Sequence, residues 1–135
     1  MGKVLLLLLM IFLHIVDDYY LQGWLASAKQ KSWWKQNAPD ELYRYDYIMA
    51  LFMHSFSWSF MVMIVPSLYA LSRVSGADIN TIALQIVLVF IFNLSMHMST
   101  DHLKANLKKI NLIQDQSVHL FQIFWTWIYL VSIRL

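Results

Sequence analysis

Four apolar stretches, each long enough to cross about 30 Å of hydrocarbon, occupy most of this 135-residue chain. They run over residues 4–22, 46–69, 79–100 and 113–133. Backbone groups inside lipid must satisfy one another, so stretches of this kind fold as helices. Only 13% of the residues are charged, about half the share of a soluble domain, and 59% are hydrophobic. The expected fold is all-α: a single integral membrane domain, residues 1–135, with four helices running up-down-up-down. Pro66 is expected to kink or end the second helix near its exit.

The connections differ in character. Loop one, "GWLASAKQKSWWKQNAPDELYRY", interleaves basic residues with Trp24, Trp33, Trp34, Tyr43 and Tyr45, a composition suited to a helix lying among lipid headgroups. Loop three, "KANLKKINL", is short, basic and partly amphipathic, and a second interfacial helix is expected there. Loop two, "SRVSGAD", reads as a tight polar turn. Loops one and three share a side and carry Lys29, Lys31, Lys35, Arg44, Lys104, Lys108 and Lys109, against Lys3, Arg73 and Arg134 on the other. The positive-inside rule places loops one and three in the cytoplasm and both termini outside, in a cell inner (cytoplasmic) membrane.

A basic start, a leucine run and "ASA" at 26–28 imitate a cleaved leader, but His14, Asp17 and Asp18 interrupt the stretch, and cleavage is not expected. Leu6 stands where a myristoylated chain would carry Ser or Thr. The absence of cysteine excludes disulfides and thiolate ligands, and no motif points to nucleic acid.

On this path the ionisable residues meet. His14 and Asp18 close the first helix, and His54 lies two turns into the second. His97 and Asp101 close the third, while Asp115 and His119 open the fourth. All seven are expected in the cytoplasmic leaflet. Two pairs read H-x3-D and the third, on a helix of opposite direction, reads D-x3-H. Each aspartate is therefore the shallower group, with its histidine one turn, about 6 Å, deeper on the same face. Asp18 completes the pattern with His14 and Gln22 continues its stripe, so Asp17 is expected to be a bystander. His102 points off the stripe, whereas Asn93 and Gln122 extend the faces of His97 and His119.

Ionisable groups at membrane depth are costly and are retained for function. Imidazoles and carboxylates without thiolates suit a divalent transition metal, Zn, Mn or Fe, and the size of the set allows two ions bridged by a carboxylate. His14, Asp18, His54, His97, Asp101, Asp115 and His119 are the candidate metal ligands. Asp18, Asp101 and Asp115 also have catalytic roles as bridges or a general base, and Lys104 can meet substrate charge. Gln22, Asn93 and Gln122 would contact substrate or support the ligands. The resulting expectation is metal-dependent hydrolysis of a phosphoester or similar bond in a membrane lipid or small anion.

Two other readings stand beside it. A small proton or metal transporter would use the same groups as a relay, but the outer halves of the helices offer mainly Ser67, Gln85, Thr126 and Ser132, none ionisable. A phage-type protein that binds and modulates a host membrane complex would depend on loops one and three instead. Four short helices enclose little volume, which makes a homodimer plausible.

"HIVDDYYLQGW", "MHMSTDHLK" and "DQSVHL" resemble the three signatures of a domain-of-unknown-function family of small bacterial and phage membrane proteins. Those signatures read H-x3-D-x2-LQ, H-x3-D-x2-K and DQ-x2-HL, and the resemblance extends over essentially the whole chain. It implies roles for His14, Asp18 and Gln22, for His97, Asp101 and Lys104, and for Asp115, Gln116 and His119. His54 falls where the family has a histidine. Trp58 replaces a second histidine one turn later, which argues against a role for that position. The pattern is also similar to that of membrane-bound proteins labelled metal-dependent hydrolases.

Overall fold

The computed structural model describes residues 2–76 and 78–132, and every regular element among them is helical. Helix α1 spans Lys3–Val16 and continues into a π-helical turn, Asp17–Leu21. Two short helices follow in the first connection, α2 (Leu25–Ala28) and α3 (Lys31–Asn37), with a 3₁₀ turn at Glu41–Tyr43. The long helices α4 (Asp46–Ser72) and α5 (Asp78–Ala105) come next. Helix α6 (Leu112–Trp127) runs on through a second π turn to Ser132.

Three of these helical segments are long and apolar enough to cross a membrane: Lys3–Leu21, Glu41–Ser72 and Asp78–Ala105. At 1.5 Å per residue α5 is about 42 Å long, more than the roughly 30 Å thickness of a hydrocarbon layer. The helix beginning at Leu112 is less apolar because Gln114, Asp115, Gln116, His119 and Gln122 crowd its first half. The expected end of the fourth stretch, together with Arg134, lies outside the described residues, as does Ala77 of loop two.

The distribution of side chains is inverted relative to a water-soluble bundle. Phe12, Leu8, Phe60, Leu84, Leu88, Ile91 and Phe121 are exposed, whereas nearly as many polar as apolar side chains are buried. Two apolar clusters occupy one end and the middle. Leu6, Met63, Val89, Leu130 and Val131 form one cluster, and Met10, Trp58, Val62 and Ile123 form the next. At the apolar end, Trp127 donates its indole N–H to the Lys3 carbonyl, tying α6 to the start of α1. At the opposite end most of the buried polar groups lie beside a few buried apolar side chains, Ala28, Tyr47, Ala50 and Leu51.

Pro66 does not end its helix: α4 continues to Ser72, without the N–H that would have bonded the carbonyl four residues back. One expectation is corrected. Loop three carries no helix of its own. Helix α5 runs five residues beyond residue 100, leaving a turn of six residues in which Lys108 takes φ 52°. Asn111 then caps α6, exchanging side-chain and backbone bonds with Gln114 and putting Asp115 in the first turn, where the helix dipole favours a carboxylate.

Candidate metal centre

The end of α1 explains the double aspartate. In an α-helix Asp18 and Gln22 would share a stripe, but the π turn brings residues five apart together. Gln22 Nε2 accordingly donates to Asp17 Oδ2 at 2.5 Å, and Ser57 Oγ donates to Asp17 Oδ1 at 2.6 Å. Asp17 is fully buried and meets the site through Gln22 rather than as a ligand. Since its carboxylate can only accept, Gln22 must turn its amide nitrogen towards Asp17 and its oxygen towards His54. That oxygen pairs with His54 Nδ1. Nδ1 therefore carries the proton, and the lone pair of His54 is on Nε2.

An independent chain on the other side orients His119. Asn93 Nδ2 donates to Thr126 Oγ1 at 2.8 Å, leaving its carbonyl side as acceptor. Gln122 Nε2 donates to the Asn93 backbone oxygen at 3.0 Å and to Asn93 Oδ1 at 3.3 Å. The remaining Gln122 oxygen faces His119 Nδ1 at 3.3 Å. His119, too, holds its proton on Nδ1 and presents Nε2 inward.

These Nε2 atoms converge on Asp101. His54 Nε2 lies 2.7 Å from Asp101 Oδ2, and His119 Nε2 lies 3.3 Å from Asp101 Oδ1. His97 Nε2 is 3.1 Å from His54 Nε2 and 3.7 Å from Asp101 Oδ2. The His97 ring is held by stacking, with its centroid 4.2 Å from Trp58 and 4.1 Å from His119. Asp115 Oδ1 stands 3.5 Å from His119 Nε2, and Asp18 Oδ1 3.8 Å from His54 Nε2.

This arrangement fits a divalent cation. Four ligands about 2.1 Å from a tetrahedral ion are roughly 3.4 Å apart, within the range of spacings found here. Two overlapping groups, Asp18–His54–His97 and His97–Asp101–His119, bring their ligand atoms within 4.8 Å of one another. Three imidazole nitrogens and a carboxylate packed this closely away from solvent are stabilised by positive charge among them. Asp18 Oδ1 and Asp115 Oδ1 are also buried without a hydrogen-bond partner among the described residues.

Two lysines reach the cluster. Lys104 pairs with Asp115 Oδ2 at 2.6 Å, so the residue expected to meet substrate charge is engaged with a site carboxylate. Gln116 donates to that same oxygen at 3.1 Å. Lys29, which the sequence marked only as a basic loop residue, places Nζ 2.5 Å from Asp101 Oδ2 and 2.8 Å from His54 Nε2. No helical spacing relates Lys29 to the histidines, so no periodic signal could have singled it out.

His14 stands at the edge of the cluster, 3.5 Å from Asp18 Oδ2, with both ring nitrogens hydrogen-bonded. Trp58 Nε1 donates to its Nδ1 at 2.7 Å, and its Nε2 pairs with Gln116 Oε1 at 3.1 Å, so neither nitrogen is free. Trp58, at the position without an expected role, is thus both a partner of His14 and the platform beneath His97. His102 lies off the cluster as expected, stacked on Tyr47 at 6.4 Å.

In comparisons with family models, curated proteins and solved structures, nothing matches this chain.

Proposed function

We propose that this chain is a membrane-embedded, metal-dependent hydrolase that cleaves a phosphoester or similar bond in a lipid or small anion. The observation that carries the reading is the convergence of three imidazole Nε2 atoms on Asp101, two of them oriented by separate buried hydrogen-bond chains at Nδ1. A chain that only clamped its helices together would not need two buried chains to aim imidazole nitrogens at carboxylates. The helix opening at Leu112 would be the fourth span, with the site in the cytoplasmic leaflet. The domain-of-unknown-function resemblance is part of this proposal.

His54, His97, Asp101 and His119 would hold the ion. Bound there, a divalent cation supplies Lewis acidity and neutralises the anionic group being cleaved. The chain's own residues do the rest. Asp18, whose Oδ1 has no hydrogen-bond partner among the described residues and whose side chain is about 10% exposed, accepts the proton of the attacking water. Lys104, with a third of its side chain exposed, offers positive charge at the mouth and steadies Asp115. Burial of the histidines keeps bulk water from the ligand atoms.

The test is hydrolysis of an aryl phosphodiester and of phospholipid by protein reconstituted in vesicles with Zn, Mn or Fe. Metal-dependent turnover that Asp18→Asn lowers about 10²- to 10⁴-fold supports the proposal. Metal-independent turnover, or none with either substrate, contradicts it.

A further inference from the structure

The ammonium of Lys29 stands where the two overlapping ligand groups join. His54 belongs to one group and Asp101 to the other, and Lys29 Nζ contacts both. His54 Nε2 is the lone-pair nitrogen defined by the Asp17–Gln22 chain, and Asp101 is the carboxylate facing three imidazoles. Lys29 Nζ lies 2.5 and 2.8 Å from these atoms. A divalent ion on the same two atoms would lie about 2.0–2.2 Å from each, too close to this nitrogen for both to be present.

We propose that Lys29 and a divalent cation are alternative occupants of one position, so that metal loading requires the ammonium to leave. The inference rests on the cation reading above and assigns its regulation. In the metal-free protein Lys29 neutralises Asp101, a buried carboxylate that would otherwise be left with uncompensated charge.

The exchange is a side-chain movement, because the backbone around Lys29 is pinned. Asn106 Nδ2 donates to the Lys29 carbonyl at 3.1 Å, and the Lys31 N–H donates to Asn106 Oδ1 at 2.7 Å. Trp34 Nε1 donates to the Ala28 carbonyl at 2.6 Å, and Ala28 itself is buried. The four-carbon stem of Lys29, by contrast, is flexible, and its side chain is 18% exposed, which leaves it a way out. Binding linkage makes the competition reciprocal: metal loosens Lys29 as much as Lys29 weakens metal.

Two measurements on the full chain in nanodiscs test this. Zn or Mn is titrated into wild type and Lys29→Met, and Lys29 of wild type is acylated with an amine-reactive ester with and without metal. Exposed Lys35 serves as the reference amine. Lys29→Met is expected to bind metal about tenfold or more tighter, and saturating metal to raise Lys29 labelling several-fold relative to Lys35. Equal or weaker binding by the variant while wild type binds, or labelling of Lys29 that metal leaves unchanged, overturns the exchange and leaves the cation site standing. Absence of binding by both proteins overturns the two together. The labelling arm needs only wild type, so a poorly folded variant does not remove the test.

Discussion

The Trp58 indole donates to His14 Nδ1 at 2.7 Å, joining α4 to α1 at the edge of the His/Asp cluster. An indole N–H can only donate, so Nδ1 of His14 is an acceptor and its Nε2 carries the proton towards Gln116. His14 ties α1, α4 and α6 together and has no lone pair left for a cation. His14→Ala is therefore expected to retain bound metal while losing about 1–3 kcal/mol of stability, from the stranded indole and amide. Metal analysis and thermal unfolding of the same preparation check this, and loss of metal would make His14 a ligand.

The adjacent aspartates are expected to separate in opposite directions. Asp17 accepts from both Ser57 and Gln22. Asp17→Leu removes both acceptors, so nothing holds the Gln22 amide nitrogen away from His54 and the His54 proton is no longer fixed on Nδ1. Metal affinity should fall about 10- to 100-fold although Asp17 never touches the ion. Asp18→Asn should keep most of the metal and lose hydrolysis. Parallel metal titration and activity assays separate the two, and identical behaviour would contradict the assignment.

The chain through Thr126, Asn93 and Gln122 gives a matching expectation on the other side of the site. Gln122→Leu removes the oxygen that fixes the His119 Nδ1 proton, so metal affinity should drop about 10- to 100-fold with the helices intact. A titration following circular dichroism of the loaded variant measures both. Unchanged affinity would mean that His119 is not oriented through Gln122.

The legible part of the site was its helical part. His97, Asp101, Asp115 and His119 were found because i,i+4 spacing survives folding into α5 and α6 unchanged. Loops of opposite direction then put the pairs at one end. The bond between Asp17 and Gln22 was not legible because the π turn at Asp17–Leu21 shifts the register by one residue, and nothing in the spacing of "HIVDDYYLQ" announces it. Trp58 and Lys29 act through space, one across a helix interface and one from a loop, where sequence periodicity carries no information.

Metal should also stabilise the fold. Asp18, Asp101 and Asp115 crowd one buried end, and an ion bound there favours the native state by mass action. At a metal concentration one hundred times the Kd, the gain is about 2.7 kcal/mol. Thermal unfolding with metal and with excess chelator is expected to differ accordingly. Superimposable curves would contradict binding to the native state.

The most direct measurement is an anomalous-scattering map of the protein soaked with Zn or Mn, collected at the absorption edge of the metal. The account predicts a peak bonded to Asp101 and to Nε2 of His97, with His54 and His119 completing its ligands and Lys29 withdrawn. A map with no peak in this cluster, or with its only peak elsewhere, would contradict the metal centre.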